Sequence, residues 1–231
     1  MIDLHLLDPM IPEEQVAAMC ERARRYGLAT VIARPSDAQL AAKWLADFPC
    51  GSFVPGDLPT AVKLYLMRDL LSRGVREFTA SINLGKLVSR QFQYLELELM
   101  QMQQQAKEAG VKLKVTLELE TLTQDLKVIA CEILKRAEVD YCRVSSNTAA
   151  TDEDLAFLRE RLGSVVQIDA GGDVRSLDEA KRLFRAGVAR FSSRYPWTML
   201  EAWKTEIAAR EKAEKEAAAA AAAAQPPAPT E

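Results

Sequence analysis

From Met1 to about Trp203, short apolar runs alternate with longer amphipathic segments, and this rhythm limits what the chain can fold into more than any other feature. A short apolar run suits a strand covered on both faces, and an amphipathic segment suits the helix that covers it. Repetition of the pair builds a parallel sheet, because parallel neighbours need a long crossover and a helix supplies it. Eight candidate strands can be read: Ile2–Leu7, Ala29–Ala33, Gly51–Val54, Glu77–Asn83, Lys112–Glu120, Tyr141–Ser146, Val165–Ala170 and Ala189–Ser193. Helix starts stand between them at Pro12-Glu13-Glu14, at Thr151-Asp152-Glu153-Asp154 and at Ser176-Leu177-Asp178-Glu179, the last read as a capping box. Gly27, Gly74, Gly110, Gly163 and Gly187 each follow a helical pattern and precede a strand. Eight such units predict a single α/β domain over 1–203, a (β/α)8 TIM barrel. An open doubly wound sheet is the alternative that pattern alone leaves standing.

Past Trp203 the character changes. Residues 204–224 are charged and then alanine-rich, with Glu206/Arg210 and Glu211/Lys215 at i,i+4 spacing, and 225–231 read Gln-Pro-Pro-Ala-Pro-Thr-Glu. The expectation is an exposed helical extension fraying into a disordered tail. Lacking an apolar stripe, the extension is expected neither to dock on the barrel nor to zip with a partner.

Charge excludes one broad class of function. Thirty Lys+Arg against 33 Asp+Glu give a formal net charge of -3, with no positive excess to hold a phosphate backbone or an anionic membrane. The expectation is no nucleic acid and no membrane. Four separated cysteines (Cys20, Cys50, Cys131, Cys142) and one histidine make no zinc pattern, so no metal is expected and the cysteines read as reduced, buried thiols. Without a signal-like start or a long apolar stretch, cytoplasm is the expected compartment.

In a barrel the functional groups sit at the carboxyl ends of the strands. Period-2 alternation puts Lys114, Thr116, Glu118 and Glu120 on one face of the fifth candidate strand, and Leu113, Val115, Leu117 and Leu119 on the other. The apolar face must meet the helices, so the polar face is expected to look inward. The same logic turns Asp3 and His5 inward on the first strand, and Arg143 and Asp169 lie within the sixth and seventh. Charges converging there are costly unless paired or used.

Six segments, IDLHLL, EFTASINLG, LKVTLELETLT, VDYCRVSSNT, AGGDVRSLDEA and AGVARFSS, resemble those of deoxyribose-phosphate aldolases in order and spacing. The resemblance covers nearly everything up to Trp203 and leaves the tail outside. It implies a class I aldolase barrel, which reversibly cleaves 2-deoxyribose 5-phosphate into glyceraldehyde 3-phosphate and acetaldehyde through a Schiff base on lysine, with no metal and no cofactor.

The groups that the resemblance assigns to this chemistry are replaced. Arg143 stands where the family has its Schiff-base lysine, and a guanidinium is permanently protonated and cannot form an imine. A second family lysine lowers the first one's pKa; its place falls on Asp169, or on Ile168 if Asp173 is an insertion. The family's proton-relay aspartate falls on Thr79, whose hydroxyl has no useful acidity. At the phosphate end Gly171 and Gly172 could still present N–H groups to an anion. After the eighth strand, however, Tyr195 adds bulk and Pro196 lacks an N–H. Arg194 reads equally as an anion ligand or as a surface arginine. Glu118 matches a family glutamate. Lys114 accompanies the family's catalytic set and could pair with Glu118 or Asp3, or serve as a relocated nucleophile. His5, replacing a family threonine, reads as a hydrogen-bonded interior group.

The reading reached is an aldolase-like barrel that has lost imine chemistry and acts as a binding, scaffolding or regulatory pseudoenzyme. The alternative is an active lyase working through Lys114. Ligand candidates are Glu118, Arg143, Gly171, Gly172 and Arg194. The ligand class expected is small and phosphorylated or otherwise anionic; a protein partner and a homo-oligomer both stay open, with no helix face apolar enough to name an interface.

Overall fold

In the computed structural model, which describes residues 1–144 and 150–223, alternation decides the two sides of every strand. In β1 (Ile2–Leu6), Ile2, Leu4 and Leu6 join the apolar core; in β5 (Lys112–Leu117), Leu113, Val115 and Leu117 do the same. The polar residues between them, Asp3, Lys114 and Thr116, are buried on the opposite, inner side. The other strands are β2 (Thr30–Ala33), β3 (Cys50–Val54), β4 (Glu77–Ser81), β6 (Tyr141–Val144), β7 (Gln167–Asp169) and β8 (Phe191–Ser193). All pairs are parallel, in the order β7-β6-β5-β4-β3-β2-β1-β8. The two ends meet through a parallel bridge between Asp169 and Arg190, with Ala170 N–H donating to the Arg190 carbonyl at 2.9 Å. The result is a nearly closed (β/α)8 barrel, as the alternation of elements predicts, and not an open sheet.

Helices follow each strand: α1 (Glu13–Tyr26), α2 (Ala38–Leu45), α3 (Thr60–Ser72), α4 (Leu84–Val88) with α5 (Phe92–Glu108), α6 (Gln124–Arg136), α7 (Asp152–Leu162), α8 (Leu177–Arg185) and α9 (Trp197–Ala223). Helix α1 shows the local logic, with Glu13 and Glu14 in its first turn, Arg24 and Arg25 in its last, and Gly27 ending it at φ 62. Between α3 and α5 a buried ion pair joins Lys63 Nζ to Glu98 Oε1 at 2.7 Å, and Thr60 donates to Glu98 Oε2 at 2.8 Å.

Several boundaries differ from those expected. Strand β4 stops at Ser81, because Asn83 caps α4 by accepting the Lys86 N–H at 3.1 Å. Strand β5 stops at Leu117: Glu118 heads a 3-10 turn, half-buried, and Glu120 is exposed, so strand alternation carries neither into the barrel. Ser145 and Ser146 lie outside the described residues. Strand β7 begins only at Gln167, and Val165 is exposed. The capping box expected at Ser176 is half made, with its hydroxyl accepting the Glu179 N–H. The reciprocal box is Thr151 with Asp154.

The extension is continuous with the barrel's last helix, since α9 starts at Trp197, where Trp197 and Met199 are buried, and runs through Ala223. Its expected detachment fails at its beginning: Glu206 pairs with Lys181 of α8 at 2.5 Å and not with Arg210. Arg210 instead pairs with Glu214, at 3.2 Å, because one turn later on an exposed helix a second carboxylate is equally near. The expected tail, 225–231, lies outside the described residues. None of the described helices is long and apolar enough to cross a membrane.

Candidate functional site

The inner faces of β1, β4, β5, β6 and β7, with Arg190 just before β8, bring six charges together. Lys114 Nζ stands 2.5 Å from Asp169 Oδ2 and 3.4 Å from Glu77 Oε1, and donates a close hydrogen bond to Asp3 Oδ2. Arg190 reaches Asp3 Oδ1 at 2.7 Å and Glu77 Oε2 at 3.5 Å. Arg143 Nε lies 3.8 Å from Asp169 Oδ2, on strands whose register sets the two residues side by side. Three carboxylates thus meet three cations, which is how a barrel interior can hold charge at all. The ring of Tyr141 lies under both Lys114 (5.5 Å) and Arg190 (5.3 Å).

Burial and neighbours set the protonation states. Burial pushes Lys114 down, but the charges of Asp169, Asp3 and Glu77 outweigh it and hold the ammonium above its ordinary value. Burial also opposes the charge of Asp169, yet Lys114 and Arg143 bring its carboxyl down to about 2. Glu77, where burial prevails, is raised. His5 is lowered well below its ordinary value by burial and by the charges of Arg143 and Lys114, so its imidazole is neutral. It sits 3.1 Å from Ser192 Oγ, which also accepts from an Arg143 amino group at 3.3 Å.

Above this layer, at the carboxyl ends of the strands, a cavity of about 350 Å³ opens between His5, Arg143, Gly172, Asp173, Ser192, Ser193 and Arg194. Larger clefts lie at the amino end of the barrel, around Asp140 and Gln167, and on the outside between α3 and α5. Barrel chemistry belongs at the carboxyl end, where the βα loops converge, so the smaller cavity is the candidate site. No lysine lines it among the described residues.

The residues singled out from sequence separate into groups. Arg143, Gly172 and Arg194 line the cavity, and Lys114, Thr79 and Asp169 are buried beneath it. Thr79 Oγ1 has no hydrogen-bond partner among the described residues. Asp169 is the member of the Ile168/Asp169 pair that meets Lys114 and Arg143, whereas Ile168 belongs to the apolar core. Glu118 does not line the cavity and makes no ion pair with Lys114 among the described residues, which leaves Asp3 as the nearer of the two expected partners. Gly171 cannot offer its N–H to a ligand, because it already donates to Asp169 Oδ1 at 2.8 Å. Its φ of +63 and the carbonyl of Val144, 1.8 Å from where a Cβ would sit, explain the glycine. The guanidinium of Arg194 is engaged by Asp173.

Sequence reading missed Glu77 and Arg190. Both stand at the amino end of the barrel, Glu77 at the start of β4 and Arg190 one residue before β8, and the alternation that placed Asp3 and Lys114 was not carried to either.

No protein-family model matches the chain. Among curated proteins, the deoxyribose-phosphate aldolase of Clostridium perfringens is 30% identical over 206 residues, 84% of this chain and 89% of that protein. That of Halalkalibacterium halodurans is 32% identical over 209 residues, 84% and 90% of the two chains. Among solved structures, the deoxyribose phosphate aldolase of Aeropyrum pernix, described as a unique tetramer, superposes with a TM-score of 0.77 at 23% identity, covering 88% of this chain and 89% of that one. A further aldolase superposes at 0.82 with 20% identity, over 88% and 94%.

Proposed function

Given that this chain belongs to the deoxyribose-phosphate aldolase family, we propose that it is a member which has left imine chemistry and holds a small polar ligand at the barrel mouth as a binding, scaffolding or regulatory module. One observation carries this reading: Lys114, the lysine inside the barrel, is wholly buried and enclosed by Asp3, Asp169 and Glu77. Schiff-base formation needs a neutral amine with a lone pair and an approach path for a carbonyl carbon. Three carboxylates favour the ammonium, and full burial closes the path. At Arg143 the guanidinium is charged at every accessible pH. Thr79 cannot shuttle a proton near neutrality, and Asp169 beside Arg143 would favour protonation of any amine placed there.

Borohydride trapping tests the reading. The protein is incubated with 2-deoxyribose 5-phosphate or with acetaldehyde, reduced, and read by intact mass and peptide mapping beside a retro-aldol rate assay. The expected result is no site-specific adduct and no turnover. A saturable adduct on Lys114 with turnover would make the chain an aldolase with a moved nucleophile and overturn the proposal.

A further inference from the structure

Loops after the seventh and eighth strands of α/β barrels frequently form an anion site. In this chain the two loops are bridged by a side chain. Asp173, in the loop between β7 and α8, accepts the Arg194 main-chain N–H on Oδ1 at 2.8 Å. Its Oδ2 accepts from Arg194 Nε at 3.1 Å and from Arg175 Nε at 2.8 Å. The terminal nitrogens of Arg175 and Arg194 stand 2.7 and 3.0 Å from the same oxygen. The carboxylate is 9% exposed while the arginines are 71% and 56% exposed, so the anion is the enclosed member and the cations fold over it. Burial resists its charge, but the Arg194 N–H and the two guanidiniums together hold its carboxyl below the ordinary value.

One main-chain N–H and two guanidiniums converging on a pair of oxygens is the donor set that a bound phosphate or sulfate would use. We propose that Asp173 is a built-in anion filling the outer anion clamp of the mouth cavity, so that the pocket selects ligands without a phosphate group. The clamp is satisfied before any ligand arrives. A phosphate brought to it must either displace the carboxylate or face its charge. The turn beside it offers no compensation at Gly171, whose N–H is committed to Asp169. This inference uses the reading above for the location of the ligand and not for the loss of imine chemistry.

Titration of the full chain with inorganic phosphate, followed by NMR at the Gly172 and Arg194 amide signals, tests it. Wild type is expected to show no saturable shift. D173N and D173G, which remove the charge and the whole side chain, are expected to bind phosphate tighter by about tenfold or more. D178N, the same change of charge on an exposed residue of α8, should behave as wild type. Saturable binding to wild type with the affinity of the D173 variants, or no gain in folded D173N and D173G, would overturn the proposal. Borohydride trapping reads lysine chemistry and this titration reads the clamp, so either reading can fail alone.

Discussion

Lys114 Nζ lies 2.5 Å from Asp169 Oδ2 with both side chains withdrawn from solvent, joining β5 to β7 over the intervening β6 inside the barrel. Removing the ammonium would leave the carboxylates of Asp3, Glu77 and Asp169 facing one another with Arg190 and Arg143 as the cations beside them among the described residues. Lys114→Met is therefore expected to destabilise the fold by about 3–5 kcal/mol, the range for breaking a buried ion pair from one side. Urea unfolding reads it, and a loss below about 1 kcal/mol would mean that the carboxylates simply take up protons.

Asp169 gives stability a defined acid limb. Its carboxyl lies at about 2 in the folded chain, against an ordinary 3.8. A depressed carboxyl contributes stability that is complete above the unfolded value and lost as pH falls through the folded one, here from about 4 to about 2. Glu77 acts in the opposite sense: raised by burial, it costs stability above its folded value. Unfolding free energy measured across that acid window should fall more steeply for wild type than for Asp169→Asn. Equal slopes would show that the cations do not hold Asp169.

An amine introduced at position 143 should form an imine only when its neighbour's charge is removed. Arg143→Lys alone is expected to give no borohydride-stable adduct with acetaldehyde, because Asp169 beside it would keep the new ammonium protonated. Arg143→Lys combined with Thr79→Asp and Asp169→Lys should yield an adduct mapping to position 143. Asp169 is the residue to exchange because it, and not Ile168, meets Arg143. A folded triple variant that stays inert would show that the mouth itself no longer admits the aldehyde.

The turn at Gly171 allows a sharp stability test. Gly171→Ala combines a φ of +63 with a Cβ placed 1.8 Å from the Val144 carbonyl oxygen. The strained conformation alone costs on the order of 1–3 kcal/mol, and the clash adds to it by forcing β6 and the β7 loop apart. Thermal unfolding should drop by several degrees, whereas an unchanged midpoint would mean that the loop relaxes freely.

Much of the fold was legible because strands buried on both faces must alternate between helix-facing apolar and inward polar residues, and β1 and β5 do so plainly. The same alternation turned Asp3 and Lys114 inward before any contact was known. It failed where the strand stopped: at Glu118, the chain leaves extended geometry for a 3-10 turn, and periodicity has no meaning past that point. It was not carried to Glu77, which begins β4, or to Arg190, one residue before β8, and it says nothing of Asp173, whose partner Arg194 comes from a different loop.

By itself, then, the sequence determined the eightfold βα rhythm and the inward set of Asp3, His5 and Lys114, because these depend on local periodicity. Only the tertiary structure decided which charges meet. The enclosure of Lys114 by three carboxylates and the filling of the mouth clamp by Asp173 depend on distances between residues far apart in the chain, fixed by strand register and by closure of β7 against β8.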